Sequence, residues 1–160
     1  RNFELRGLAG RFLHARPTAL PLETASIDVV CLSSLPAGAD DPAAVVDEVY
    51  RVLKPGGKVL AVAPARYDIE FWHHLCFPWQ RWLRLRPAPA PGLRFTRRRL
   101  RRLFGRFVEH RVYKRQLRRA DVPHLWRCVP LPLLERFAGR LLVVKAFKPL
   151  SAAMAVPLAA

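Results

Sequence analysis

Apolar and polar positions alternate most legibly between Ile27 and Pro64. Ile27, Val29, Val30, Cys31 and Leu32 form a short run with the length and β-branching of a buried strand. The period then changes, because Val45, Val46, Val49 and Leu53 recur at helical spacing behind Asp41, a side chain suited to an N-cap. Pro42 fits the first helical position, where its missing N–H has no intrahelical acceptor. Pro55 and Gly56 stop the helix, and Gly57 turns the chain into a second apolar run, Val59 to Ala63. Two apolar strands joined by a helical crossover make a βαβ unit, with strands expected to run parallel and to be buried on both faces. The fold class is therefore α/β.

The later pattern is helical, then extended. Apolar residues at 71, 72, 75, 79, 82 and 83 form a helical stripe. Pro87, Pro89 and Pro91 make 87–92 a stiff linker, and Thr96 caps a helix whose Leu100, Leu103, Phe104 and Phe107 share one face. Arg140 to Pro149, RLLVVKAFKP, reads as a final strand. The chain contains no internal repeat.

Composition narrows the class. A chain of 160 residues with 51% apolar content suits one domain with an ample core. The 28 Lys and Arg against 12 Asp and Glu give a net charge of +16, which favours an acidic partner, although an arginine-rich coding bias would produce the same excess. Cys31, Cys76 and Cys128 are widely spaced and odd in number, which argues for a reducing, cytoplasmic setting rather than a disulfide framework. No run reaches the roughly 18 apolar residues of a membrane span, and the charged N-terminus carries no secretory signal.

The wording of the βαβ unit is more specific than its pattern. LPLETASIDVV, followed by DEVYRVLKPGGKVLAV, resembles the C-terminal half of the cofactor domain of class I S-adenosylmethionine-dependent methyltransferases, in the type 11-like group that methylates small molecules. The match covers about Arg11 to Pro64. The resemblance implies a Rossmann-like sheet with helices on both faces, S-adenosylmethionine as cofactor and methyl transfer to a small-molecule acceptor. It also implies a third strand at Arg11 to Ala15, with the first two strands, the glycine-rich turn and the ribose-binding acid falling before Arg1. The expectation is an incomplete methyltransferase domain over 1–149, divided into the matching part 11–64, a substrate-lid or cap segment 65–92 and a C-terminal helix with antiparallel strands 93–149, followed by a tail at 150–160. Such a chain is expected to bind cofactor poorly and to be inactive alone. The resemblance pairs the final strand with Val108 to Tyr113, with Asp121 to Phe137 as an intervening turn and short helix.

Carried over residue by residue, the family's adenine contacts fall on Arg16 and Pro17, with Thr18 beside them. Arg16 stands where relatives have an acid; a guanidinium cannot accept a hydrogen bond from the adenine amino group, so either Thr18 or a backbone carbonyl takes that role or adenine binding has decayed, with Arg16 then a solvated loop residue. The strand end at Leu32, Ser33 and Ser34 is the other expected cofactor contact, since ligands bind at strand ends in parallel sheets and the resemblance brings this loop to the methionine part of the cofactor; the other reading is that Ser33 and Ser34 simply cap the loop. Asp28, at a strand start, is expected to make a structural hydrogen bond. Gly56, Gly57 and Lys58 are not a phosphate loop, because Val59 stands where a Ser or Thr is required.

Two segments carry the remaining candidates. Tyr67, Phe71, Trp72, His73, His74, Phe77, Trp79 and Trp82 make 65–86 aromatic and basic. This segment reads as a substrate lid using Tyr67, Trp72 and Trp79, as a membrane-surface or partner helix, or as a core-packing helix. His73 and His74 are the candidate bases, since imidazole titrates near neutral pH; adjacent histidines diverge on a helix, and no second ligand pair at zinc spacing accompanies them, so no metal is expected. In the second segment, Arg97, Arg98, Arg101 and Arg102 are the anion-binding candidates. Twelve basic residues against Glu109 alone lie between Arg94 and Arg119. The charge reads either as a footprint for nucleic acid or anionic membrane, or as a solvated face.

Overall fold

A computed structural model describes residues 7, 10, 13–35, 41–76, 93–122, 126 and 128–150, the side chain of His73 excepted. Trp79, the proline-rich linker and the tail beyond Leu150 lie outside the described residues. Strand β1, Ile27–Leu32, leads to helix α1, Pro42–Val52, and strand β2, Leu53–Pro64. Helices α2, Ile69–Cys76, and α3, Arg97–Leu103, precede strand β3, Val108–Arg115. Helix α4, Leu131–Ala138, and strand β4, Leu141–Phe147, close the fold.

Local chemistry accounts for the helix starts. The Asp41 carboxylate accepts from the Ala43 N–H at 3.0 Å, and Pro42 follows it into α1. Thr96 accepts from the Arg99 N–H at 3.2 Å at the head of α3. Asp68 does the same for α2, accepting from Phe71 N–H at 2.9 Å.

The sheet has four strands in the order β1-β2-β4-β3. β1 and β2 are parallel, and β4 runs antiparallel to both β2 and β3. The RVLKPGG segment is not a simple helix-to-strand turn. Leu53 already pairs with Ile27, and the ladder then shifts before Lys58 pairs with Val29, so Lys54 to Gly57 bulge out of a strand that has begun. Gly56 takes a positive φ of 76°, and a Cβ on Gly57 would lie 2.8 Å from the Lys54 carbonyl oxygen. Asp28 makes its structural bond here, accepting from the Lys54 ammonium at 2.9 Å.

The main core lies on one sheet face. Val46 and Val49 of α1, Leu100 of α3, Phe104 and Phe107 pack on Val59, Ala61 and Ala63 of β2 and on Leu142, Val144 and Ala146 of β4. A second cluster joins Ile69 and Trp72 of α2 to Leu131, Leu134 and Ala138 of α4. Two expectations are corrected. β1 is an edge strand among the described residues, paired only with β2, so Val29 is 51% exposed and Cys31 is exposed rather than buried on both faces. Residues 13–15 form no strand: they are exposed, no ladder reaches them, and the chain turns at once through Pro17, closed by the Ala19 N–H on the Arg16 carbonyl at 3.0 Å. Core packing accounts for only part of α2, because Ile69 is buried whereas Phe71 and Leu75 are exposed.

Candidate functional site

Register places several chain ends in one row. Leu141, at the start of β4, pairs with both Pro64 and Arg115, so the carboxyl ends of β2 and β3 lie at the same edge of the sheet. Leu32 pairs with Ala61 and the Leu35 N–H reaches the Val62 carbonyl at 2.9 Å, which brings the carboxyl end of β1 to that edge as well. Beyond β2, Ala65 bridges to Phe95, and the Arg66 N–H donates to the Phe95 carbonyl at 2.8 Å. This short pairing sets Thr96 and Arg97 above the sheet end.

A cavity of about 450 Å³ opens there. Its walls are aromatic, from Tyr67, Trp72, Phe95 and Phe137, and its charged groups are all cationic: Arg66, Arg97, Arg98, Lys114 and Arg136. The position fits the general rule that ligands of α/β sheets bind beyond the carboxyl ends of strands.

Two of the cations, Lys114 and Arg97, are anchored. Lys114 donates to the carbonyls of Tyr67 and Phe137. Burial pushes its ammonium down to about 8, the charge of Arg97 pushes the same way, and Asp68 pulls it back. Arg97 donates through Nη2 to the Arg136 carbonyl at 3.0 Å. Burial, then Arg136 and Arg101, lower its pKa as well. The nearby carboxylate, Asp68, is 6% exposed and already bonded to Arg94 at 2.7 Å. Within the walls, Trp72 Nε1 and Arg97 Nε have no hydrogen-bond partner among the described residues.

The candidates named from the sequence fall into three groups. Tyr67, Trp72, Arg97 and Arg98, read as a lid and as an anion face, come together in this single cavity. Arg101 and Arg102 are exposed on the last turn of α3, outside it. His74, half-buried on α2, does not line it either. Leu32 packs against the core, while Ser33 and Ser34 are exposed beyond β1, with Ser34 Oγ donating to the Leu35 carbonyl at 3.2 Å. Arg16 is exposed and Pro17 and Thr18 are half-buried in the turn that replaces the expected strand. Lys114, Arg136, Phe95 and Phe137 were not singled out; alternation along 108–115 puts Lys114 on the half-buried side with Val108 and Val112, where nothing in the residue type marks a site. The Asp68 cap, an acid immediately before an apolar helix, was the available signal for where α2 starts.

Much of the arginine excess is locally engaged. Arg94 bonds Asp68, Arg106 bonds Asp47 at 3.0 Å and lies over the Tyr50 ring, and Arg115 meets Glu135 at 3.4 Å. Among the described residues, no group of three His, Cys, Asp or Glu is placed to hold a metal, and no helix is long and apolar enough to cross a membrane.

Comparison with known proteins gives three findings. Residues 2–61 match the model of a family described as "Methyltransferase domain". A curated relative, demethylmenaquinone methyltransferase of Lactococcus lactis, is 41% identical over 51 residues, which is 32% of this chain and 20% of the relative. Among solved structures, a SAM-dependent methyltransferase from Thermotoga maritima superposes with a TM-score of 0.56 at 18% identity, covering 91% of this chain and 66% of the other. The [4+2]-cyclase SpnF superposes with a TM-score of 0.55 at 15% identity, covering 94% and 60%. The chain thus spans a fifth of the curated relative and less than two thirds of SpnF. A cyclase among these neighbours shows that the fold does not by itself fix the reaction.

Proposed function

We propose that this chain, which has the class I methyltransferase fold and matches the methyltransferase domain over residues 2–61, serves methyl transfer from S-adenosylmethionine to a small-molecule acceptor in the cytoplasm. One observation carries the reading. The strand end at Leu32 to Ser34 and the aromatic, cationic cavity lie on the same edge of the sheet, on either side of β2. Such an edge can hold a methyl donor and an acceptor side by side.

When bound, the cofactor supplies an electrophilic methyl group on a sulfonium. The described residues fit it only in part: Ser33 and Ser34 offer hydroxyls, but the sole buried charged residue among them, Asp68, is committed to Arg94 and to the head of α2, leaving no buried acid for the ribose hydroxyls. The acceptor side is better furnished. Trp72 and Phe95 shield the acceptor from water, and the anchored Lys114 and Arg97 orient it, which is the larger part of the work when the acceptor is already nucleophilic. His73 and His74 are then unnecessary as bases. Exposed thiols at Cys31, Cys76 and Cys128 suit a reducing compartment.

Release of S-adenosylhomocysteine from millimolar cofactor, in the presence of a small-molecule extract, tests the reading. Turnover supports it, with calorimetry expected to show cofactor binding weaker than micromolar. No detectable binding of millimolar cofactor by a chain that circular dichroism shows to be folded overturns it, whereas absence of turnover alone does not, since the chain by itself is expected to be inactive. The competing role, a non-catalytic module holding nucleic acid or anionic membrane through 94–119, requires affinity that falls steeply with salt. The pairing of Arg94, Arg106 and Arg115 with carboxylates favours the methyl-transfer reading.

A further inference from the structure

A second cavity of about 330 Å³ is lined by Trp72, Trp126, Val129, Leu134, Phe137 and Ala138, none of them charged. Trp72 and Phe137 also line the cationic cavity, so the same two aromatic side chains border both. A chamber with an exclusively cationic set of charges therefore adjoins one that is apolar.

We propose that the two chambers together bind one amphipathic anion, a carboxylate or phosphate ester on a hydrocarbon body, with its head at Arg97 and Lys114 and its body along Trp72 and Phe137 against Leu134. Each part of this assignment has a separate physical reason. Arg66, Arg97, Arg98, Lys114 and Arg136 crowd positive charge that Asp68, already bonded to Arg94, does not neutralise. An anion between Arg97 and Lys114 offsets their mutual repulsion and their loss of solvent. Both side chains are held by backbone carbonyls, so little ordering remains to be done on binding. The second chamber would strip water from a sugar or peptide without replacing its hydrogen bonds, whereas a hydrocarbon loses nothing there. A polyanion would instead meet the exposed Arg101 and Arg102, outside both chambers. That this ligand is the methyl acceptor rests on the methyltransferase reading; its binding does not.

Calorimetry on the full chain without cofactor tests the binding, using decyl phosphate, decanoate, decanol, inorganic phosphate and phosphatidylglycerol vesicles as probes. Decyl phosphate and decanoate are expected to bind at least about tenfold more tightly than decanol or inorganic phosphate, a difference of about 1.4 kcal/mol. Lys114→Gln and Arg97→Gln should each weaken decyl phosphate by about tenfold, as loss of a charge-assisted bond requires. Leu134→Trp, which fills the apolar chamber and leaves the cations in place, should weaken it too, whereas Arg102→Gln should not. Equal affinity for decanol, no effect of Leu134→Trp, an Arg102→Gln loss as large as that of Lys114→Gln, binding to vesicles alone, or no binding by folded protein would each overturn the assignment. Binding of decyl phosphate with no detectable binding of millimolar cofactor would leave it standing and count against the methyl-transfer reading instead.

Discussion

The ammonium of Lys148 donates to the carbonyl of Tyr50 at 2.8 Å, and a second bond reaches the Leu53 carbonyl at 2.7 Å. A side chain just past the last strand thus satisfies carbonyls at the end of α1, where the helix leaves them without intrahelical donors. Lys148 also lies 4.7 Å from the centre of the Tyr50 ring. Lys148→Met keeps much of the stem and removes the donors. It is expected to cost about 2 kcal/mol in urea denaturation, the scale of a lost charged hydrogen bond that leaves acceptors on half-buried Tyr50 and buried Leu53.

Glu48 ties the turn before β1 to α1. It accepts from the Leu20 N–H at 2.8 Å and from Arg51 at 2.7 Å, and Arg51 reaches back to the Leu20 carbonyl at 3.1 Å. The Arg51 bond first, and the Leu20 N–H second, hold the carboxyl at about 2 against an ordinary 4.5. A depressed acid stabilises the fold above its unfolded pKa, so this contribution is complete above pH 4.5 and is lost as pH falls towards 2. Glu48→Gln should flatten the thermal-melting profile in that window and speed proteolysis at 20–24.

Lys114 has the opposite sign. Its pKa of about 8 lies below the unfolded value of 10.5, so the folded state carries the full penalty of a charged, half-buried ammonium below pH 8. The penalty is relieved between 8 and 10.5, where the unfolded chain holds the proton and the folded chain does not. Arg66, Arg97, Arg98 and Arg136 face the group and Asp68 opposes them. Stability should therefore rise across that window, and Lys114→Met should abolish the rise.

The two glycines of the bulge should respond differently to alanine. Gly56→Ala meets left-handed strain of about 1 kcal/mol, and its new methyl meets only the far end of Leu150, at 2.9 Å. Gly57→Ala meets backbone, 2.8 Å from the Lys54 oxygen and 3.1 Å from that of Asp28. Neither oxygen can yield without opening the ladder. Denaturation midpoints should fall further for Gly57→Ala.

Legibility from the sequence followed the kind of interaction. The spacing of Val45, Val46 and Val49, the caps at Asp41 and Thr96, and the parallel βαβ order are local features, and the structure contains them. The strand expected at Arg11 to Ala15 is absent over the described 13–15, because extended residues become a strand only when a partner lies alongside, which composition cannot show. The site was legible only in fragments. Tyr67 and Trp72 were read as one feature, Arg97 and Arg98 as another; what unites them is the Ala65 to Phe95 bridge, a contact across 30 positions with no motif. Lys114 joins them because Leu142 lies opposite it on β4, which is a consequence of register rather than of residue type.

The order β1-β2-β4-β3 also bears on how the chain is assembled during synthesis. β2 and β3 share no ladder; each pairs with β4, the last of the four strands in chain order. Until 141–147 emerge, α1 with β1 and β2 has no backbone link to β3, and the apolar row Val59, Ala61 and Ala63 lacks its neighbours Leu142, Val144 and Ala146. Closure therefore waits for 141–147, by insertion of one strand between two waiting edges, and those edges are the surfaces a chaperone would have to shield in the interval.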